Sequence, residues 1–416
     1  MKKTLKLVLA LIILFVIGEA AIYLVGLLPQ EPIQTSIEES IDQMESEYEK
    51  PFILYDKSRN AIGNFTDCLI LNLSYYSDTR SDPLSFLSNP RYREKGAASV
   101  SDLTKLVSGE PANSNYLHYC MGFRVWMRPL LSVFNYMQIR SIFGSLLWML
   151  FAFSVLTVYR LTKHGFFSAL YALCFIALNP SGISGTLSYM VCFLIGFLGV
   201  ILLPYVVKRR EEKPIRLPLF FLTLGALTQF FDFYTSPLIT FAFPMIVLLF
   251  HLISGPERIS PKESLRIFLS GLIAWLSAYV SIWLMKLLAT ALLTGLDVLT
   301  ATMETVRASI GIAAESSGIV ASMTACAENI ATPEITVALG IACVIGVIRW
   351  IRNPDRKADL QQSWVFLIIG ALSLVWILFA KRTLEHVHFQ YRTLGVLLLG
   401  ILAFIASVSG RKEVTR

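Results

Sequence analysis

Long apolar runs separated by short polar segments dominate the chain after residue 140. A first run, Leu7 to Leu28, follows a basic start at residues 1–6. Apolar runs of about 18 residues or more are long enough to cross a membrane as an α-helix. Further helices are predicted at 141–159, 166–179, 186–207, 217–231, 237–253, 267–294, 334–350, 363–380 and 393–409. The pattern therefore predicts an all-α polytopic membrane protein with about ten transmembrane helices.

One long polar segment interrupts this pattern between the first and second predicted helices. Within it, residues 55–79 alternate in a way that fits a strand or a short amphipathic helix. Residues 129–140 are amphipathic, with aromatic and basic side chains, which is typical of a helix lying along the membrane interface. We therefore divide the chain into a transmembrane helix at 1–28, a loop domain of mixed structure at 29–140 and a helical bundle at 141–416.

Composition supports a membrane location, and charge predicts the orientation. The chain is 55% hydrophobic and 16% charged, whereas soluble domains are about 25% charged. The net charge of +7 comes from short basic clusters between apolar runs, which indicate orientation and not a nucleic-acid-binding face. The clusters assigned to the cytoplasmic side are Arg160/Lys163, Lys208–Arg216, Arg258–Arg266, Arg349–Lys357 and Arg411–Arg416. The outer loops, including 296–333 and 381–392, hold few basic residues, so both termini are predicted to be cytoplasmic and the loop domain extracytoplasmic.

The six cysteines show no CxxC spacing. Cys174, Cys192 and Cys343 fall inside apolar runs, where a thiol packs as a small apolar side chain. Cys68 and Cys120 share the loop domain, so the sequence leaves a disulfide between them open.

Three ionisable residues near predicted outer helix ends are candidates for chemistry. Asp67 and Asp232 lie among apolar or aromatic residues, and each fits either a helix cap or a functional carboxylate. In the functional reading, Asp67 is a general base or a metal-binding carboxylate. Lys286 lies within the helix at 267–294 and fits either a side chain that reaches the interface or an ammonium that holds a phosphate or carboxylate.

The densest polar cluster near an outer helix end is residues 381–392. His386 and His388 alone are a weak metal signal, because no third ligand follows at a fixed spacing. Arg382 and Arg392, together with Lys286, suit the phosphate of a lipid. The alternative for this cluster is a solvated interface loop.

Several stretches resemble motifs of a group of bacterial polytopic membrane proteins. These stretches are Tyr116–Gly122, Arg128–Leu131, Gln138–Arg140, Phe231–Leu238, Trp283–Lys286 and His386–Arg392. The first is similar to a motif that reads roughly Tyr-x-Arg-Tyr-Trp-His-Gly, but this chain has His118-Tyr119-Cys120-Met121 in place of Arg-Tyr-Trp-His. Proteins of this group resemble the GT-C class of membrane glycosyltransferases.

The resemblance implies a GT-C-like fold and a transferase that takes a sugar from a polyprenyl-phosphate donor. Asp67 would be the base or metal carboxylate, and Lys286, Arg382 and Arg392 would hold the lipid phosphate. The remaining candidates for substrate contact and for ordering the site are Asp232, His118, Tyr119, His386 and His388. If this arrangement holds, Asp67 and Lys286 face one outer cavity.

The acceptor implied by the resemblance is a glycan, lipid or protein of a bacterial cell envelope, and the protein would lie in the plasma membrane. A divalent metal is left open as a cofactor, and no nucleic acid is expected as a partner. Two other functions stay open. One is a transporter or flippase of a lipid-linked glycan, and the other is a non-catalytic assembly partner in envelope biogenesis.

Overall fold

The structure is a computed structural model that describes residues 2–48, 62–117, 119–208, 215–255, 258–309, 316–379 and 386–410. The long apolar runs form helices, as a bilayer requires, because lipid offers no hydrogen-bond partners to backbone groups. Among the described residues, seven helices are long and apolar enough to cross a membrane. The prediction of an all-α polytopic membrane protein is confirmed at this level.

The candidate spans are helices α1, α7, α10, α13, α16, α17 and α19. Their bounds are α1 Lys2–Gly26, α7 Tyr136–Thr162, α10 Leu187–Val207, α13 Pro261–Thr294, α16 Pro333–Ile351, α17 Arg356–Phe379 and α19 Gly395–Val408. The last span also includes the short helix α18 (Val387–Gln390) and the 3-10 turn Tyr391–Leu394. Seven is fewer than the number predicted, because three predicted segments form shorter apolar helices: α8 Gly165–Ala177, α11 Arg216–Phe231 and α12 Leu238–Ser254.

Burial separates lipid-facing helices from the centre of the bundle. Helix α1 exposes large apolar side chains such as Val16 and Ile17, which is the expected surface of a helix in contact with lipid. Helix α12 is buried along nearly its whole length and packs against α10 and α19. Helices α11 and α13 approach closely because Gly225 has no Cβ, which would lie only 2.2 Å from the Trp275 carbonyl oxygen.

The loop domain is mainly helical. It contains α2 Gln30–Tyr48, α3 Asn64–Tyr75, α4 Ser85–Ser88, α5 Ser99–Val107 and α6 Arg124–Leu131, with two strands, β1 Pro90–Arg91 and β2 Ser114–Asn115. The strands pair antiparallel, with Pro90 opposite Asn115. Of the predicted alternatives for 55–79, the described part forms the helix α3 followed by turns, and residues 55–61 lie outside the described ranges.

Two guanidinium groups of α6 fix the loop domain, and one of them, that of Arg128, also joins it to α1. Arg128 donates hydrogen bonds to carbonyl oxygens at the carboxyl ends of α1 and α3, including those of Val25 and Tyr75. Arg124 donates to the Phe86 carbonyl and to the Asn89 side chain. Burial lowers the pKa of both arginines to about 10, and they stay cationic at neutral pH. Helix ends that lack further backbone partners are thereby satisfied.

One prediction about local structure is wrong. Residues 129–140 do not form one interfacial helix, because Asn135 starts a new helix: its side chain accepts from the Gln138 backbone and the Gln138 side chain accepts from the Asn135 backbone. The stretch 296–333, predicted as an outer loop, is partly helical. It contains α14 Val298–Ser309 and α15 Ser316–Ile330, and α15 packs against the Tyr391–Leu394 turn.

The disulfide left open between Cys68 and Cys120 is not formed. Both residues are buried and carry free thiols. Burial raises the pKa of each thiol, and a protonated, enclosed thiol is poorly reactive.

Candidate functional site

Asp67 lies at the junction between the loop domain and the bundle, and it caps α10. Its two carboxylate oxygens accept the backbone N–H groups of Leu187, at 2.8 Å, and Ser188, at 3.0 Å. The Tyr136 hydroxyl also donates to it. Asp67 is fully buried. A carboxylate that accepts the first N–H groups of a helix satisfies donors that have no partner within the helix.

Burial raises the pKa of the Asp67 carboxyl, and the hydrogen bonds from Tyr136, Leu187 and Ser188 partly offset this effect. The geometry therefore favours the helix-cap alternative for Asp67. The role of general base stays a prediction, and it would require the carboxylate to release one of these donors.

Lys286 is fully buried and holds α13 to α1. Its ammonium donates to the Glu19 carboxylate at 3.2 Å and to the Phe86 carbonyl oxygen at 2.9 Å. Of the two alternatives for Lys286, reaching the interface does not fit, because its ammonium is committed to these partners. Asp67 and Lys286 have different partners, on α10 and α1 respectively.

Glu19 is a residue that the sequence analysis missed. It is the one acidic residue in the apolar run from Leu7 to Leu28, and a charge inside such a run is costly unless it is paired. That cost is the signal that could have identified Glu19 as the partner of Lys286.

Arg392 has the least satisfied charge among the candidate residues. Its side chain is only 1% exposed. Nη1 donates to the His388 carbonyl oxygen at 2.8 Å, but Nε and Nη2 find no hydrogen-bond partner within the described parts of the chain. The guanidinium lies over the Tyr189 ring at 4.5 Å and the Tyr391 ring at 4.7 Å. A buried guanidinium with unpaired N–H groups is costly unless it meets an anion.

The absence of a side chain at Gly182 leaves room for the Arg392 guanidinium. Short helix α9 (Pro180–Ser184) passes beside the guanidinium, and a Cβ added at Gly182 would lie 3.1 Å from Arg392 Nη2. Because Gly182 has no side chain, the unpaired N–H groups of Arg392 lie close to the α9 backbone.

The two histidines of the same turn lie close together. His386 and His388 have ring centroids 6.2 Å apart, and both rings contact Phe389. Among the described residues, no group of three or more His, Cys, Asp or Glu side chains is arranged to hold a metal ion. The predicted site residues His118 and Arg382 lie outside the described ranges.

Asp232 is a buried carboxylate in the turn between α11 and α12. It accepts from the Thr235 hydroxyl at 2.6 Å and from the Thr235 backbone N–H at 3.1 Å. Burial raises the pKa of the Asp232 carboxyl, and the bonds from Thr235 and Cys192 partly offset this. In contrast to Asp67, its backbone donors, Phe233 and Thr235, lie in its own turn.

Three of the predicted site residues, Asp67, Asp232 and Arg392, lie near the first two turns of α10. Asp67 caps this helix at Leu187 and Ser188, Tyr189 follows under the Arg392 guanidinium, and Cys192 lies 3.7 Å from the Thr235 hydroxyl beside Asp232. The Arg392 and Asp232 turns also meet, because Thr393 and Ser236 hydroxyls lie 3.5 Å apart. We call Asp67, Tyr189, Asp232 and Arg392 the α10 cluster.

Tyr119 extends the α10 cluster toward the loop domain. Its ring lies 5.7 Å from that of Phe233 and 4.9 Å from that of Tyr234, which follow Asp232 directly in the sequence. Lys286 is separate from this cluster in its contacts. The geometry brings together most of the described candidates. Asp67 and Lys286 share no hydrogen-bond partner, and their facing one cavity stays a prediction.

The class of protein follows from the fold: the chain is an all-α, multi-pass membrane protein with a helical loop domain at one end of its bundle. No protein-family model, curated protein or solved structure matches the chain.

Proposed function

We propose that the protein is a membrane glycosyltransferase that moves a sugar from a polyprenyl-phosphate donor to an acceptor of the cell envelope, on the side of the membrane that carries the loop domain. Arg392 is the observation that carries this proposal. Its buried guanidinium has two nitrogens without partners among the described residues. It lies over Tyr189, which follows the two α10 residues that Asp67 of the loop domain caps. An anionic group such as a lipid phosphate would pair with both nitrogens.

The proposed reaction uses the residues of the α10 cluster. An acceptor hydroxyl oxygen forms a bond to the anomeric carbon of the sugar while the bond from that carbon to the phosphate oxygen breaks. The polyprenyl phosphate leaves with the electron pair, and Arg392 stabilises the negative charge that develops. The hydroxyl proton passes to a carboxylate.

Asp232 suits the role of base better than Asp67 does. Its hydrogen bonds come from its own turn and from the Cys192 thiol, and not from the first backbone groups of another helix. Burial raises the pKa of both carboxyls, which brings each nearer to the working range of a base at neutral pH. Asp67, whose oxygens accept two α10 backbone groups, would position Tyr189 and thereby Arg392.

Of the alternatives, a transporter would require polar residues along a path through the membrane. The buried intramembrane ion pair of Glu19 and Lys286 instead ties two helices and a carbonyl group of the loop domain together. This arrangement supports an anchored bundle more than a path for a glycan.

The test is transfer of labelled sugar by the purified full chain in liposomes. The donors are polyprenyl-phosphate glucose, mannose, galactose and N-acetylglucosamine, and the acceptor is a total cell-envelope extract. We expect turnover of at least one donor, and a loss of about 100-fold or more in Arg392→Gln, because an oxyanion-type interaction is worth about that much.

The matched control is Arg80→Gln. Arg80 belongs to the loop domain, and its partly exposed guanidinium pairs with Asp78 at 3.0 Å. Its removal should leave transfer unchanged. Absence of turnover with every donor, or equal rates for the wild type and Arg392→Gln, would overturn the proposal.

A further inference from the structure

A row of aromatic side chains leads from the loop domain into the bundle beside Asp232. The Tyr116 and Tyr119 rings are stacked 5.4 Å apart, and Tyr119 lies 4.9 Å from Tyr234. Tyr234 lies 6.0 Å from Tyr279, which is stacked on Trp275 at 4.9 Å. The first three rings are partly exposed, whereas Tyr279 and Trp275 are buried. The row therefore leads from a partly accessible end to an enclosed one.

Two buried polar atoms at the enclosed end have no hydrogen-bond partner among the described residues: Gln229 Oε1 and the Tyr279 hydroxyl. The two side chains are only 2% and 8% exposed. They belong to one group, since Gln229 Nε2 donates to the Tyr234 hydroxyl at 3.2 Å and the Tyr234 ring contacts Tyr279. Each buried polar atom left without a partner costs about 1–3 kcal/mol, and a ligand that formed hydrogen bonds with both atoms would recover that cost.

The backbone at Tyr234 supports this reading. Its φ angle is +58°, a left-handed conformation that is uncommon for a residue with a bulky side chain. This conformation places the Tyr234 ring between Tyr119 and Tyr279. Strain of this kind persists where the surrounding structure fixes it, and such positions are concentrated at functional sites.

We propose that Tyr119, Tyr234, Tyr279 and Gln229 form a saccharide-binding site, and that it receives the acceptor sugar of the transferase. The role as acceptor site rests on the proposed function, whereas saccharide binding itself does not. Asp232 lies two residues from Tyr234 in sequence, next to this site. An acceptor sugar held there would have its hydroxyl near the carboxylate that we assign as base.

The chemistry of the unpaired atoms points to a neutral ligand with hydroxyl groups. An amide oxygen needs a donor, and a tyrosine hydroxyl can both donate and accept. A sugar hydroxyl serves either partner, and it still does so if the amide oxygen and nitrogen of Gln229 are exchanged. The ring faces supply the apolar walls that a small-molecule site requires around a few polar groups.

The first measurement is saturation-transfer difference NMR on the full chain in phosphatidylcholine nanodiscs, which contain no sugar detergent. The probes are the methyl glycosides of glucose, mannose, galactose and N-acetylglucosamine at millimolar concentration. We expect the wild type to give saturation transfer to at least one of them. No signal from any probe would overturn the proposal, and the two unpaired atoms would then be hydrated.

The decisive variant is Tyr279→Phe, which removes one hydroxyl and keeps the ring. We expect it to weaken glycoside binding by about 3- to 10-fold, the value of one neutral hydrogen bond. A second variant, Gln229→Met, should weaken binding by a similar factor. Unchanged binding in both variants would contradict the proposal.

Tyr171→Phe is the matched control. The Tyr171 hydroxyl is buried elsewhere in the bundle and donates to Ser154 Oγ at 3.1 Å. Glycoside binding should be unchanged in this variant, but its unfolding temperature should fall. In Tyr279→Phe the unfolding temperature should stay the same or rise, because the hydroxyl that is removed has no hydrogen-bond partner among the described residues.

The two proposals fail in different ways. Glycoside binding without transfer from any donor would overturn the transferase and leave the saccharide site. Transfer that depends on Arg392, together with glycoside binding that is the same in Tyr279→Phe, Gln229→Met and the wild type, would leave the transferase and overturn the saccharide site.

Discussion

Asp67 and Asp232 look alike in the sequence, where each is a lone carboxylate among apolar or aromatic residues. Their surroundings in the structure differ. Asp67 accepts backbone groups of another helix, far along the chain, whereas Asp232 accepts mainly from Thr235. The sequence predicts that each carboxylate is either a helix cap or a functional group. It does not show which of the two is a cap, because tertiary packing sets the partners of Asp67.

At the residue scale we predict that Asp67→Asn destabilises the protein. An amide has one oxygen acceptor, so one of the two α10 N–H groups would face an NH₂ group. We expect a loss of about 1–3 kcal/mol, measured as a lower unfolding temperature of the full chain in detergent. Asp42→Asn, at an exposed position on α2, is the control and should show no change. An unchanged unfolding temperature in Asp67→Asn would contradict the cap interpretation.

At the scale of elements, most bundle helices could be predicted because uninterrupted apolar length is a strong signal. The helices that were predicted wrongly or missed have local causes. The helix predicted over 129–140 breaks at the reciprocal hydrogen bonds of Asn135 and Gln138, and α14 and α15 were missed because their apolar character is too weak for a membrane span. The aromatic row was missed because its rings come from separate segments, 116–119, 234 and 275–279.

The pairing of α1 with α13 gives the second prediction. Glu19→Gln and Lys286→Met should each destabilise the protein by about 3–5 kcal/mol, because each leaves a buried charge unpaired. The double variant should recover much of this loss, since it removes both charges. The measurement is a double-mutant cycle of unfolding free energies, and losses that simply add would contradict the ion pair.

At the scale of the whole molecule, the basic clusters predict that the loop domain lies outside and both termini inside. We test this with two cysteine reporters at exposed positions, Ser108→Cys in the loop domain and Lys357→Cys at the start of α17. The background carries Cys343→Ala, which removes an exposed thiol.

A membrane-impermeant maleimide should label Ser108→Cys in intact cells and Lys357→Cys only after lysis. The reverse pattern would place the loop domain and the α10 cluster in the cytoplasm. It would then contradict an extracytoplasmic transferase.

The sequence alone does not predict that the residues of the α10 cluster come together. Asp67, Asp232 and Arg392 lie far apart along the chain, and they meet because α10 begins where the loop domain, the α11–α12 turn and the α18–α19 turn come together. The alternation of helix directions predicts that these ends share one side of the membrane. It does not predict which helices are neighbours.

Binding of a lipid phosphate by Arg392 is measured most directly by native mass spectrometry of the purified chain with polyprenyl phosphate, and with the matching polyprenol as the uncharged control. We expect the wild type to bind the phosphate lipid in preference to the alcohol. We expect Arg392→Gln to lose this preference, with binding of the phosphate lipid about 10- to 100-fold weaker, and Arg80→Gln to retain it. Equal binding of the two lipids by the wild type, or an unchanged preference in Arg392→Gln, would show that Arg392 is not a lipid-phosphate site.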